Sequence, residues 1–256
     1  MMKKLILITT LLITTAIQAA PKLHVILTAD TNAQDISHAV AIDKQNMNRL
    51  FADIGEHFDD SDIYSLSADS LSEKSINTKL KALKVGIDDV LVFYYSGHGD
   101  RSKFPESPWP RLTPHNGQSI EVKNILGAMN DHMARQVVVI IDACNGEFHE
   151  GPTGQRWPAS SINKAAVDKL FKNFHGNVVF TSSKPGLVSY TLKGNYGSQF
   201  TYVFKNVMQQ ELSQNETDWG VVLEKTKEIV VDSDKVKIQT PKFIYTKNDK
   251  TPGETP

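Results

Sequence analysis

Two short stretches of this chain of 256 residues carry side chains able to do covalent chemistry. One is Tyr95-Ser96-Gly97-His98-Gly99-Asp100, and the other is Ile141-Asp142-Ala143-Cys144-Asn145-Gly146. Each follows an apolar, β-branched run and sets one reactive residue close to glycine. An imidazole can take a thiol's proton or stabilise its thiolate, and the thiolate is the attacking species. Gly97 and Gly99 let the main chain turn sharply and approach a substrate. The amides of Gly99 and Cys144 can then point at an oxyanion. His98 and Cys144 are therefore the candidate catalytic pair. Each has a plainer reading on its own, because a histidine after a strand is usually a surface or core residue and a free cysteine packs as a small hydrophobe. Cys144 is the sole cysteine, which excludes an internal disulfide and a multi-cysteine zinc site.

The elements that must position this pair are legible as short apolar runs. Leu23–Thr28, Asp89–Tyr95, Gln136–Ile141 and Asn177–Thr181 read as strands covered on both faces, with a weaker strand at Asp62–Leu66. Helical periodicity occupies Asp35–Ile54, Leu71–Leu83 (opened by Ser72) and Ser119–Met133. Gln199–Leu212 and Asp218–Val231 read as two further helices, Pro241–Tyr245 as a late strand, and Lys247–Pro256 as a disordered tail. Strand and helix alternate, which predicts a three-layer αβα sandwich around a mainly parallel sheet of about six strands. Two long loops, Arg101–Gly117 and Gly146–Ser161, follow carboxyl ends of strands, where open parallel sheets place ligands. Trp109 and Trp157 lie in them, as cleft walls or as loop anchors.

Composition narrows the functional classes. With 28 basic and 29 acidic residues and 40% hydrophobic content, the chain is neither disordered nor charged for nucleic acid. Lys3 and Lys4, the apolar run Leu5 to Ile17 and the small residues Ala19 and Ala20 predict a signal peptide over 1–19, hence a secreted or periplasmic protein. The competing reading is a membrane anchor, for which the run is short. Beyond it no apolar stretch approaches the ~20 residues of a span.

With these residues in view, the chain resembles the caspase-like cysteine peptidases, nearer to metacaspases and bacterial orthocaspases than to animal caspases. Tyr94-Tyr95-Ser96-Gly97-His98-Gly99 is similar to that family's Y-S-G-H-G, and Asp142-Ala143-Cys144-Asn145-Gly146 to its D-S/A-C-H-S-G. The histidine precedes the cysteine by 46 positions, against about 50 in caspases. Thr181-Ser182-Ser183, Pro185-Gly186, Ser189-Tyr190, Gly197 with Phe200-Thr201, and Gln239-Thr240-Pro241 extend the likeness over nearly all of residues 20–246. Asn145 stands where many members have His, and Thr191 where many have an acid. The resemblance implies an endopeptidase acting through an acyl-enzyme, with a peptide or protein as partner. A non-catalytic peptide-binding module and an acyl-transferring relative on the same dyad are the alternatives.

Residues two apart on a strand share a face, so Asp142 accompanies Cys144, and Ser96 accompanies His98. A carboxylate and a hydroxyl beside the dyad favour Arg or Lys before the scissile bond, and the matching metacaspase residues serve that purpose. Asp142 as a turn cap is the plainer reading. Asp30, ending the first strand, is a further candidate acid for the pocket. A basic-selective pocket makes Arg156 and Lys164, in or beside the loop after Cys144, candidate self-cleavage sites. No cofactor is indicated. Asp59-Asp60-Ser61-Asp62 lacks the spaced oxygens of a calcium loop, and Glu147, His149 and Glu150 read as loop surface rather than metal ligands.

Overall fold

The computed structural model describes residues 20–144, 149–153, 157–233 and 239–248. In chain order the elements are β1 (Lys22–Ala29), α1 (Ser37–Gly55), β2 (Asp60–Ser67), α2 (Glu73–Ala82), β3 (Val90–Ser96), β4 (Gly99–Asp100), β5 (Arg111–Leu112), β6 (Ile120–Glu121), α3 (Val122–Asn130), β7 (Gln136–Asp142), β8 (His149–Thr153), α4 (Lys164–Val167), β9 (Gly176–Thr181), β10 (Tyr190–Lys193), α5 (Gln199–Leu212), α6 (Trp219–Ser233) and β11 (Lys242–Lys247).

Six strands form one sheet in the order β11-β9-β7-β3-β1-β2. All neighbours are parallel except β11, which runs antiparallel to β9. Alternate residues of the inner strands feed two separate cores. Val25, Val92, Tyr94, Ile140 and Phe180 pack under α1, α5 and α6, whereas Ile26, Phe93, Tyr95, Val139 and Ile141 pack under α2 and α3. Apolar side chains on both faces explain the unbroken hydrophobic runs, and the αβα layering expected from them is found.

Differences from the sequence reading are local and have physical causes. The weak strand is eight residues long, because β2 extends a parallel ladder on β1 through polar residues that face solvent at the sheet edge. The helix expected from Ser119 begins only at Val122. Glu121 accepts hydrogen bonds from Ser102 Oγ (2.7 Å) and the Lys103 amide (3.1 Å), which keeps Ile120–Glu121 extended against β5. Ser72 does cap α2, through a reciprocal pair with Ser75. The second long loop contains β8, which pairs in parallel with β10. Trp109 is buried with Leu112 and Ala143, and Trp157 packs half-buried on the core beneath α5 and α6, so both are loop anchors. Asp60 and Asp62, from the acidic run, pair with Lys22 Nζ at 2.7 and 2.8 Å. Among the described residues no group of three His, Cys, Asp or Glu side chains is arranged to hold a metal, and no helix is long and apolar enough to cross a membrane. The expected leader (1–19) and most of the expected tail lie outside the described residues, although β11 continues to Lys247.

Candidate active site

β3 and β7 are neighbours in the sheet, and their register pairs Ser96 with Asp142. His98 and Cys144 each follow that rung by two residues, so both emerge at the same carboxyl edge. The Gly97 amide donates to the Asp142 carbonyl at 3.2 Å and ties the two exits together. Both side chains line one cleft, with Ile36, Val40, Ser189 and Tyr190 on its walls and Asp142 on its floor. It is tight, with a cavity volume of about 20 Å³, roughly room for one water molecule.

Gly99 shows why glycine is needed here. A Cβ at this position would lie 2.7 Å from both Ala143 Cβ and the Cys144 carbonyl oxygen, closer than carbon can pack. Its backbone therefore runs directly over the peptide of Cys144. Gly97, and not Gly99, is the glycine on the cleft wall.

Cys144 is 6% exposed. Its sulfur accepts from the Ser189 amide at 3.3 Å, and the thiol lies 3.5 Å from the Ser189 carbonyl oxygen. Burial pushes the thiol's pKa up, the Ser189 amide acts downward, and the charges of Asp142 and Asp35 add to the rise. His98 is only partly covered, and its Nε2 lies 2.8 Å from Asp35 Oδ1.

Asp142 at the cleft and Asp43 behind it form a pair of buried carboxylates. Asp142 accepts from Ser189 Oγ (2.7 Å), the Thr201 amide (2.9 Å) and Thr201 Oγ1 (2.7 Å). Asp43, on α1, accepts from Ser96 Oγ (2.8 Å), the Ser198 amide (2.8 Å) and Ser198 Oγ (2.5 Å). Burial, reinforced by the negative charge of Asp142, raises Asp43 to about 7. Burial also raises Asp142. Two like charges in so dry a place resist ionising together. Gly197, at φ +82°, makes this packing possible, because a Cβ there would collide with Asp43 Oδ1.

The other expected pocket residues fall elsewhere. Ser96 is fully buried and serves Asp43 from behind the cleft wall instead of facing into it. Asp30 is also fully buried, and both its oxygens hold His115, from the ring Nδ1 (2.6 Å) and the amide (2.8 Å). It clamps the first long loop and does not line the cleft, because a strand-end carboxylate with two donors at hand turns toward them. Lys164 opens α4 and pairs with Asp168 at 2.5 Å. Arg156, Asn145 and Glu147 lie outside the described residues, and Thr191 is on the cleft wall.

Asp43 and Asp35 went unrecognised in the sequence. Asp43 left a readable signal, since it interrupts the buried stripe Val40, Met47, Leu50 and Ile54 with a charge. Asp35 left none, because an acid just before a helix is ordinary capping chemistry.

The comparisons agree with this architecture. The caspase domain family matches residues 34–251, and the chain belongs to that family of cysteine peptidases. Caspase-1 from Spodoptera frugiperda superposes with a TM-score of 0.59 at 15% identity, covering 88% of this chain and 86% of that one. A protein from Geobacter sulfurreducens does so with a TM-score of 0.53 at 16% identity, covering 88% and 93%. No protein of curated function matches.

Proposed function

We propose that the protein is an exported cysteine endopeptidase that cleaves after Arg or Lys, with Cys144 as nucleophile and His98 as its acid–base partner. The observation that supports this reading is the one cleft lined by Cys144, His98 and Asp142. In the reaction, Cys144 Sγ attacks the peptide carbonyl carbon, and the tetrahedral oxyanion is held by the main-chain amides of Gly99 and Cys144. One such donor commonly contributes about 3–4 kcal/mol. His98 passes its proton to the departing amine and leaves a thioester, which water, deprotonated by the same ring, then hydrolyses. Asp142, with Asp43 behind it, supplies the negative field for a guanidinium or ammonium. An arginine side chain needs far more room than one water, so productive binding requires the Val188–Tyr190 segment over the thiol to move outward. Cleavage of the chain after Arg156 or Lys164 is the self-processing this specificity implies; for Lys164 it requires the first turn of α4 to unwind.

A second reading, a peptide-binding module without turnover, is favoured by the buried thiol of raised pKa. Iodoacetamide at neutral pH separates the two. Rapid labelling of Cys144 that slows strongly in His98→Ala supports the peptidase, whereas equal rates favour the binding module. A peptide library varied before the scissile bond tests specificity, and cleavage indifferent to Arg or Lys there removes that part. Intact mass of the incubated protein against Cys144→Ala tests self-processing, with identical masses counting against it.

A further inference from the structure

The N-terminal turn of α1 does more than wall the cleft. Asp35 precedes the first helical residue by two positions, and its Oδ1 lies 2.8 Å from His98 Nε2. The backbone that carries this carboxylate is held in place. The turn is stitched by Ala33 N–H to the Asp30 carbonyl (3.2 Å) and Ile36 N–H to the Ala33 carbonyl (3.1 Å). It is also anchored by the small buried cluster of Ala29, Ala33, Ile36 and Val40. Although partial desolvation pushes Asp35 upward, its hydrogen bond and charge pairing with His98, followed by main-chain amides of residues 35 and 36, carry it below the usual carboxylate value. It stays ionised at neutral pH.

We infer that Asp35 is the third member of the catalytic constellation, a positioning residue that holds His98 through Nε2 so that Nδ1 exchanges the proton with Cys144. The inference rests on the peptidase reading above. An imidazole with one nitrogen pinned by an acceptor has its tautomer and ring plane chosen in advance, which is how a third group serves a nucleophile–base pair generally. The step balances simply: the thiol proton moves to Nδ1, the imidazolium so formed keeps its Nε2–H on Asp35 Oδ1, and Asp35 gains no proton.

The same carboxylate exerts an opposite influence through space. Its negative charge disfavours the thiolate of Cys144, so the two roles predict opposite signs on removal. If Asp35 were merely a nearby charge, its loss would speed alkylation of the thiol. As a positioning residue, its loss slows it.

The test uses the full chain and compares wild type, Asp35→Ala, Asp35→Asn and His98→Ala by iodoacetamide labelling and by hydrolysis of an Arg-containing peptide. Asp35→Ala is expected to slow labelling and lower kcat by about 10- to 100-fold with little change in KM. Asp35→Asn, which keeps an oxygen acceptor for Nε2–H, is expected to recover a large part of the loss, an effect that a purely structural role does not produce. Thermal midpoints should stay close to wild type because the side chain is half exposed. Faster or unchanged labelling in Asp35→Ala overturns the inference while a strong His98→Ala effect keeps the dyad. Labelling unaffected by His98→Ala overturns the peptidase reading and this inference with it.

Discussion

Two aspartate–histidine pairs sit at the same end of β1, five residues apart in the chain on their acidic side, and they do different work. Asp30 is fully buried, spends both oxygens on His115, and thereby staples the Arg101–Gly117 loop to the sheet. Asp35 is 56% exposed, and its His98, 31% exposed, stands on the cleft wall beside the thiol. The chemistry of the two pairs is alike; their surroundings differ. A buried pair with every acceptor used resists change and holds architecture. A half-exposed pair contributes little to stability, yet it can orient a ring that must also gain and lose a proton.

Substitutions test whether the two pairs differ in this way. The largest effect is expected at the dyad: Cys144→Ala or His98→Ala should lower peptide hydrolysis by at least about 10³-fold, with unfolding curves near wild type, checked by initial rates and calorimetry. Next comes the structural pair. Asp30→Ala should cost about 2–3 kcal/mol of stability, because charged hydrogen bonds are lost in a dry site. Denaturant titration measures this, and labelling of Cys144 per folded molecule should not change. Slowed labelling there would erase the distinction between the pairs.

Asp43 gives a pH-dependent effect. In the fold it holds its proton up to about pH 7, whereas an unfolded aspartate loses it near pH ~4. The native state therefore binds the extra proton between these values, and the site's contribution to stability falls as pH rises through that window. Asp43→Asn cannot ionise and should flatten that slope between about pH 4 and 7, read from unfolding free energies at several pH values. If the pocket takes Arg or Lys, KM for such peptides should also rise in wild type as pH falls below about 7, and that rise should vanish in Asp43→Asn. The smallest change is expected at Lys22, whose ion pairs with Asp60 and Asp62 lie at the exposed sheet edge. Lys22→Ala should leave the midpoint of a denaturant titration almost unmoved, because solvent screens an exposed pair.

Much of the scaffold was legible from local pattern. The four strong strands appear within a residue or so of their expected bounds, because a strand covered on both faces admits few polar residues. The weaker elements were misjudged where long-range partners decide. Ile120–Glu121 is extended because of Ser102 and Lys103, and β8 exists because β10 lies beside it. At the site, the pairing of Ser96 with Asp142 follows from strand adjacency, but the directions of Ser96 and Asp30 do not. Two-residue alternation points Ser96 into the pocket and a place at the end of the first strand suggests Asp30, yet each turns toward the donor or acceptor that tertiary packing supplies, Asp43 in one instance and His115 in the other.

Apolar periodicity and glycine's conformational freedom are local properties, so the layered sheet and the two glycine-flanked exits that carry an imidazole and a thiol can be read from the order of the residues. Which carboxylates attend them cannot. A side-chain oxygen reaches about 3 Å, and whether Asp30, Asp35 or Asp43 meets a given partner depends on how α1 and the long loops dock against the sheet, a matter of packing between segments far apart in the chain.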